Sequence, residues 1–189
     1  KGWRYSSRPL SDYPFSIGWT RDSRYYYASL FFSERIYGQK LLFPILHPTL
    51  HFIFSLPFLF GKLPIWVHRA WSVALTLGLS SAVVIQLSKR LGGKNKTGIL
   101  FVIWAFLFLA QGSIYAHLLI PTLIIFIFVS PEHTRRSWVA VIVASLWAGM
   151  SRINWFPVPS MLAAIIYFLE FPQKKSLLRY LALPVAWFF

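Results

Sequence analysis

The sequence predicts an all-α fold, a polytopic transmembrane helical bundle with amphipathic interfacial helices in a large external loop. Three observations carry this. From Ile65 onward, apolar stretches of near-bilayer length follow one another with very short connections. Hydrophobic residues make up 57% of the 189 positions and charged residues only 13%, which excludes an ordinary soluble domain. The long apolar runs also lack strand alternation, and inside lipid a backbone must satisfy its own hydrogen bonds, as a helix does.

A hydrocarbon core of about 30 Å takes roughly 20 helical residues to cross. The expected spans are 65–87, 97–110, 113–130, 137–150 and 155–169, with a further one from Leu177. Several are short and need polar neighbours or local thinning of the bilayer to fit. Residues 1–64 form the expected external loop and 65–189 the transmembrane helices, all within a single membrane domain. Because the chain starts at Lys1 without a methionine and stops inside the apolar run 181–189, a fragment of a longer polytopic protein is expected.

The net charge of +14 reads as topology rather than as a nucleic-acid footprint. Loop 88–96 carries Lys89, Arg90, Lys94 and Lys96; loop 131–136 carries Arg135 and Arg136; loop 171–179 carries Lys174, Lys175 and Arg179. These loops alternate along the chain and therefore share one face, which the positive-inside rule makes cytoplasmic. The opposite connections, 111–112 and 151–154, contribute only Arg152. The expected location is the cell membrane, multi-pass, with residues 1–64 non-cytoplasmic. Residues 1–40 then carry Lys1, Arg4, Arg8, Arg21, Arg24, Arg35 and Lys40 on the outside, against the usual bias. Either a long external loop escapes the rule, or these cations meet an anion. Stretch 41–60 is apolar, but Pro44, Pro48 and Pro57 interrupt it, and a broken helix in the outer interface is expected there. Were it to span instead, the first 40 residues would be cytoplasmic.

Without cysteine there is no disulfide framework, no thiol nucleophile and no thiolate metal site. The segment around Asp22, flanked by Arg21 and Arg24, is the richest in reactive groups. Both arginines favour its ionised form, and a carboxylate at the head of a helix near the headgroups can take a proton from a hydroxyl. A helix cap with a surface ion pair is the structural alternative. Residues 24–38 read as an amphipathic helix, with Tyr27, Leu30, Phe31 and Tyr37 toward the membrane and Ser33, Glu34 and Arg35 toward water.

Arg152 stands between two apolar runs. It either snorkels to headgroups or clamps a lipid phosphate, with Asn154 as a further donor. Arg69 and His68 open the first span, where a snorkelling anchor is expected. His117 lies inside an apolar helix four residues before Pro121, as an intramembrane functional group or a helix-to-helix hydrogen bond. His47 and His51 have the i, i+4 spacing of two zinc ligands, although Pro48 intervenes. No phosphate-binding glycine loop, catalytic triad or nucleotide fingerprint is present.

The stretch Arg21-Asp22-Ser23-Arg24-Tyr25-Tyr26-Tyr27-Ala28-Ser29-Leu30-Phe31, followed by Tyr37-Gly38, Leu46-His47-Pro48 and Pro57-Phe58-Leu59-Phe60-Gly61, resembles in arrangement the first external loop of the GT-C superfamily of membrane glycosyltransferases. The spanning helices resemble its later ones. The resemblance implies transfer of a sugar from a polyprenyl-phosphate carrier to an acceptor on the outer face. It makes Asp22 the catalytic base or a ligand of a divalent cation, with Asp12 in reserve. It gives Arg152, Arg24 and Arg69 the carrier phosphate. The implied partners are the lipid bilayer and the polyprenyl-phosphate sugar donor, with no nucleic acid. Two other classes stand beside it. One is a transporter or lipid flippase, with a helix broken at His117 and Pro121. The other is a non-catalytic membrane subunit that tolerates loss of Asp22 and Arg152.

Overall fold

The computed structural model describes residues 22–43, 47–92, 96–112, 114–130 and 132–170. Asp12, the basic loop 171–179 and the span from Leu177 lie outside these residues. The described residues are helical, in line with the expected class, and contain no strand. The helices are α1 (Asp22–Ser29), α2 (Ser33–Tyr37), α3 (Pro48–Ser55), α4 (Ile65–Leu91), α5 (Lys96–Ala110), α6 (Ala116–Phe128), α7 (Thr134–Ser151) and α8 (Val158–Glu170). Short 3-10 turns cover Leu30–Phe32, Leu56–Phe60 and Ile153–Trp155.

Two stretches, Ile65–Leu91 and Ile153–Glu170, are long and apolar enough to cross a membrane. The 15 residues of α5 and the 13 of α6 reach only about 20 Å each at the rise of an α-helix. The chain divides into two compact units, Lys1–Gly78 and Leu79–Phe189, with the boundary inside α4.

In the first unit α1 packs on α3 through Ala28, Leu50 and Phe54, which Phe58, Trp71 and Leu75 cover. Pro48 does not interrupt α3 but begins it, since a proline at the first helical position loses no intrahelical bond. Pro57 does change the helix. It has no N–H for the Ile53 carbonyl, and the chain tightens into the 3-10 turn Leu56–Phe60. The Trp71 indole donates to that Ile53 oxygen at 3.0 Å.

Residues 24–38 differ from the single amphipathic helix expected. They break into α1, a 3-10 turn and α2, and both Leu30 and Ser33 are buried. The Ser33 hydroxyl accepts the Leu41 N–H at 3.1 Å, which turns Ser33 inward. Gly38, at a left-handed φ of 71°, ends α2 and donates its N–H to the Glu34 carbonyl.

The second unit packs the later part of α4 with α5 to α8 around Val84, Leu119, Ile125, Val141, Ala163 and Ile166. Helix α7 is inverted relative to a water-soluble helix. Its buried face is mostly small, with Ala140, Ala144, Ser145 and Ala148 beside Val141, while Val139, Val143, Leu146 and Met150 are exposed. Helix α5 buries only Ala105 and Leu109 and presents Leu100, Trp104 and Leu107 outward. Arg90, expected in a basic loop, instead belongs to α4 and ties three elements together. It donates through Nε to the Phe126 carbonyl at 2.7 Å, to the Val129 carbonyl through Nη2, and to the Glu170 carboxylate through Nη1. Arg136 adds a bond to the Ile127 carbonyl at 3.4 Å. The end of α6 thus meets two guanidinium groups, which complement its negative dipole end.

Candidate functional site

The first unit gathers basic and aromatic groups where α1, α3 and the start of α4 pack. Asp22 opens α1, with its side chain outside the described part. Two residues on, half-buried Arg24 shares an electrostatic neighbourhood with His51 of α3. Burial pushes the His51 imidazole down to about 4, and the charges of His47 and Arg24 act in the same direction. A hydrogen bond to the Arg24 backbone partly offsets them. The Tyr27 ring stands 5.3 Å from that of His51.

His47 itself is the N-cap of α3, at a left-handed φ of 52° that few side chains adopt. It precedes the helix instead of sharing a helical face with His51. No group of three or more His, Cys, Asp or Glu converges among the described residues, so nothing there forms a metal cage around this pair.

His68 and Arg69 are each 4% exposed, which differs from the expected snorkelling anchors. The first turn of α4 is covered instead: the His68 ring lies 4.1 Å from Phe58 and 6.1 Å from Tyr25. Arg69 is therefore less accessible to a lipid phosphate than Arg24.

In the second unit a different set of groups meets where α7 ends. The chain leaves the helix at Arg152, in extended conformation, and turns through Ile153–Trp155. The Arg152 guanidinium carbon stands 4.7 Å over the Tyr115 ring, a cation–π contact that holds the exposed side chain in place. Beneath it the buried Ser151 hydroxyl and His117 Nε2 are 2.8 Å apart. Asn154 is exposed in the same turn. This tight turn needs Gly149, because a Cβ there would lie 2.7 Å from the Phe156 ring.

Helix α6 runs without a break through Pro121, so the broken helix pictured for a transporter is not formed at this position. Trp147 supplies a donor at this point. Its indole donates to the His117 carbonyl at 2.9 Å, the acceptor that Pro121 leaves without a helical donor.

Arg152, Asn154 and His117 stand out in the sequence, whereas Tyr115, Trp147 and Ser151, which complete this set, do not. The one available signal was the four-residue spacing from His117 to Pro121, which marks an orphan carbonyl without naming its donor. Compared with known protein families, curated proteins and solved structures, the chain has no match.

Proposed function

We propose that this chain belongs to an integral-membrane glycosyltransferase that moves a sugar from a polyprenyl-phosphate carrier to an acceptor on the non-cytoplasmic face. The helices of the second unit, with α4, form a polytopic bundle in the cell membrane, and residues 1–64 lie outside the cytoplasm. The inverted face of α7 supports the membrane part. Large apolar residues pointing out and alanines and serines pointing in suit a lipid surround, where close helix contact replaces hydrophobic burial.

The observation that carries the transferase reading is the concentration of Arg24, His47 and His51 around the first turns of α1, the helix that Asp22 opens. A carbohydrate acceptor is a poor nucleophile until its hydroxyl loses a proton. The Asp22 carboxylate takes that proton as the acceptor oxygen bonds to the anomeric carbon. The bond from that carbon to the carrier phosphate breaks, and the phosphate leaves with the electron pair. Its growing negative charge is what a guanidinium stabilises, and Arg24, in the same unit as Asp22, takes that role, while Arg152 on its Tyr115 support offers a lipid phosphate a guanidinium within its own unit. Asp12 remains the reserve base. Among the described residues no group of three or more His, Cys, Asp or Glu converges.

The test is transfer of a labelled sugar from a polyprenyl-phosphate donor in proteoliposomes. Arg24→Gln raises the KM for the donor at least tenfold, while Arg135→Gln, an exposed cation elsewhere, leaves it unchanged. Equal donor KM in both variants contradicts the phosphate assignment.

A further inference from the structure

Between α2 and α3 the chain makes a short loop whose shape is fixed from several sides. Gly38 stops α2 in the left-handed region. The Leu41 N–H is held by the Ser33 hydroxyl. The Phe43 ring stands edge-on to Phe31 at 4.2 Å. Arg35 is anchored by a 2.7 Å bond from Nη1 to the Leu59 carbonyl. With the backbone pinned at these points, Leu42 has no side of the unit to fold against. It is 91% exposed, and Phe43 beside it is 56% exposed.

A mobile loop can hide such side chains part of the time; a pinned one holds them out. Around them lies an open cleft of about 630 Å³, lined among others by Phe31, Glu34, Arg35, Lys40, Leu42 and Phe43. Its charged groups are two cations and one carboxylate, a positive balance next to an apolar tip. A hydrophobic tip with a basic collar matches the boundary between acyl chains and anionic headgroups.

We propose that residues 38–43 are a membrane-entry loop, with Leu42 and Phe43 inserted at the acyl boundary of an anionic leaflet and Lys40 and Arg35 against its lipid phosphates. This rests on the membrane part of the proposed function and not on the transfer reaction. The loop anchors the first unit at a fixed height over the bilayer.

The chain contains no cysteine, so a single introduced thiol reports one position. Leu42→Cys, Leu107→Cys on the outward face of α5 and Glu132→Cys in an exposed turn are each nitroxide-labelled in the full-length protein. The protein is reconstituted in phosphatidylcholine vesicles with and without phosphatidylglycerol, and collision rates with oxygen and with a water-soluble nickel chelate are measured. The expected result is that the label at 42 favours oxygen, as at 107, and that Glu132→Cys favours nickel. The 42 label should sit deeper when phosphatidylglycerol is present, and Lys40→Gln should remove that difference.

A label at 42 as open to nickel as the one at 132, with 107 still in lipid, overturns the loop assignment alone. Nickel access at 107 as well overturns the membrane reading beneath it. Shielding of 42 from both relaxants overturns the lipid in favour of a protein partner. A depth at 42 that ignores phosphatidylglycerol overturns the anionic component.

Discussion

Trp147 donates its indole N–H to the carbonyl oxygen of His117 at 2.9 Å, and His117 is the residue four before Pro121. The same relationship recurs in the first unit. Trp71 donates to Ile53, four before Pro57. In each case a proline removes the amide that would have closed the helical turn, and a tryptophan from another helix replaces it. The two outcomes differ in one respect. Helix α6 continues through Pro121, whereas the chain at Pro57 passes into a 3-10 turn and the Ile53 oxygen also accepts the Leu56 N–H.

A buried carbonyl without a donor costs about 1–3 kcal/mol. Trp147→Phe keeps an aromatic ring but removes this donor from the His117 oxygen, so stability falls by up to about that amount. Pro121→Ala restores an N–H to the helix and should shrink the cost of Trp147→Phe to little. Denaturant unfolding of the two single variants and the double variant gives the coupling. Additive effects contradict a shared carbonyl.

Arg90 satisfies two helix-end carbonyls and one carboxylate, whereas Glu170 has one partner in this set. Arg90→Gln should destabilise by about 1–3 kcal/mol, because the Phe126 and Val129 oxygens lose charged donors. Glu170→Gln should cost under about 1 kcal/mol, since that pair is partly exposed. Thermal unfolding in detergent gives the order, and the reverse order rejects the capping role.

Gly149 allows Phe156 to lie against α7. Gly149→Ala forces that ring away and should cost about 1–3 kcal/mol by overpacking. It should also move Arg152, so fluorescence from a probe at Asn154→Cys changes in the variant. An unchanged melting temperature and spectrum mean the turn is not held by this contact.

His51 gives a pH dependence of defined sign. In an unfolded chain a histidine takes its proton near pH 6.5, but here burial and the neighbouring His47 and Arg24 hold it down to about 4. Between these values the unfolded state binds more protons, so stability falls as pH drops from 6.5 to 4 and is level above 6.5 with respect to this group. His51→Asn should flatten that segment of the curve. A wild-type slope that survives the substitution assigns it to another group.

The helices were legible because hydrophobic length is written locally. The expected runs 65–87, 97–110 and 137–150 lie within Ile65–Leu91, Lys96–Ala110 and Thr134–Ser151. Their ends were less so. Arg90 looked like a loop cation because its acceptors, Phe126, Val129 and Glu170, are distant in sequence. The burial of Ser33 goes with a hydrogen bond to Leu41, which periodicity within 24–38 does not contain. Arg69 and His68 looked like interface anchors because nothing nearby in the chain announces that Phe58 and Tyr25 pack on that turn. The residues grouped as candidates fall into two local sets, Arg24 with His47 and His51, and Arg152 with Tyr115 near His117. Arg24 and His51 come from α1 and α3, and Tyr115 and Arg152 from the ends of α6 and α7.

The most direct measurement of the central claim is sugar transfer by the full-length protein in proteoliposomes, wild type against Asp22→Asn. The substitution keeps the side-chain size and removes the base. The expected result is transfer from a polyprenyl-phosphate donor by the wild type and a fall in kcat of at least about a hundredfold in Asp22→Asn, with the donor KM and the melting temperature retained. Equal kcat in the two proteins would contradict Asp22 as the base, and no transfer by the wild type from any polyprenyl-phosphate donor would contradict the transferase reading itself.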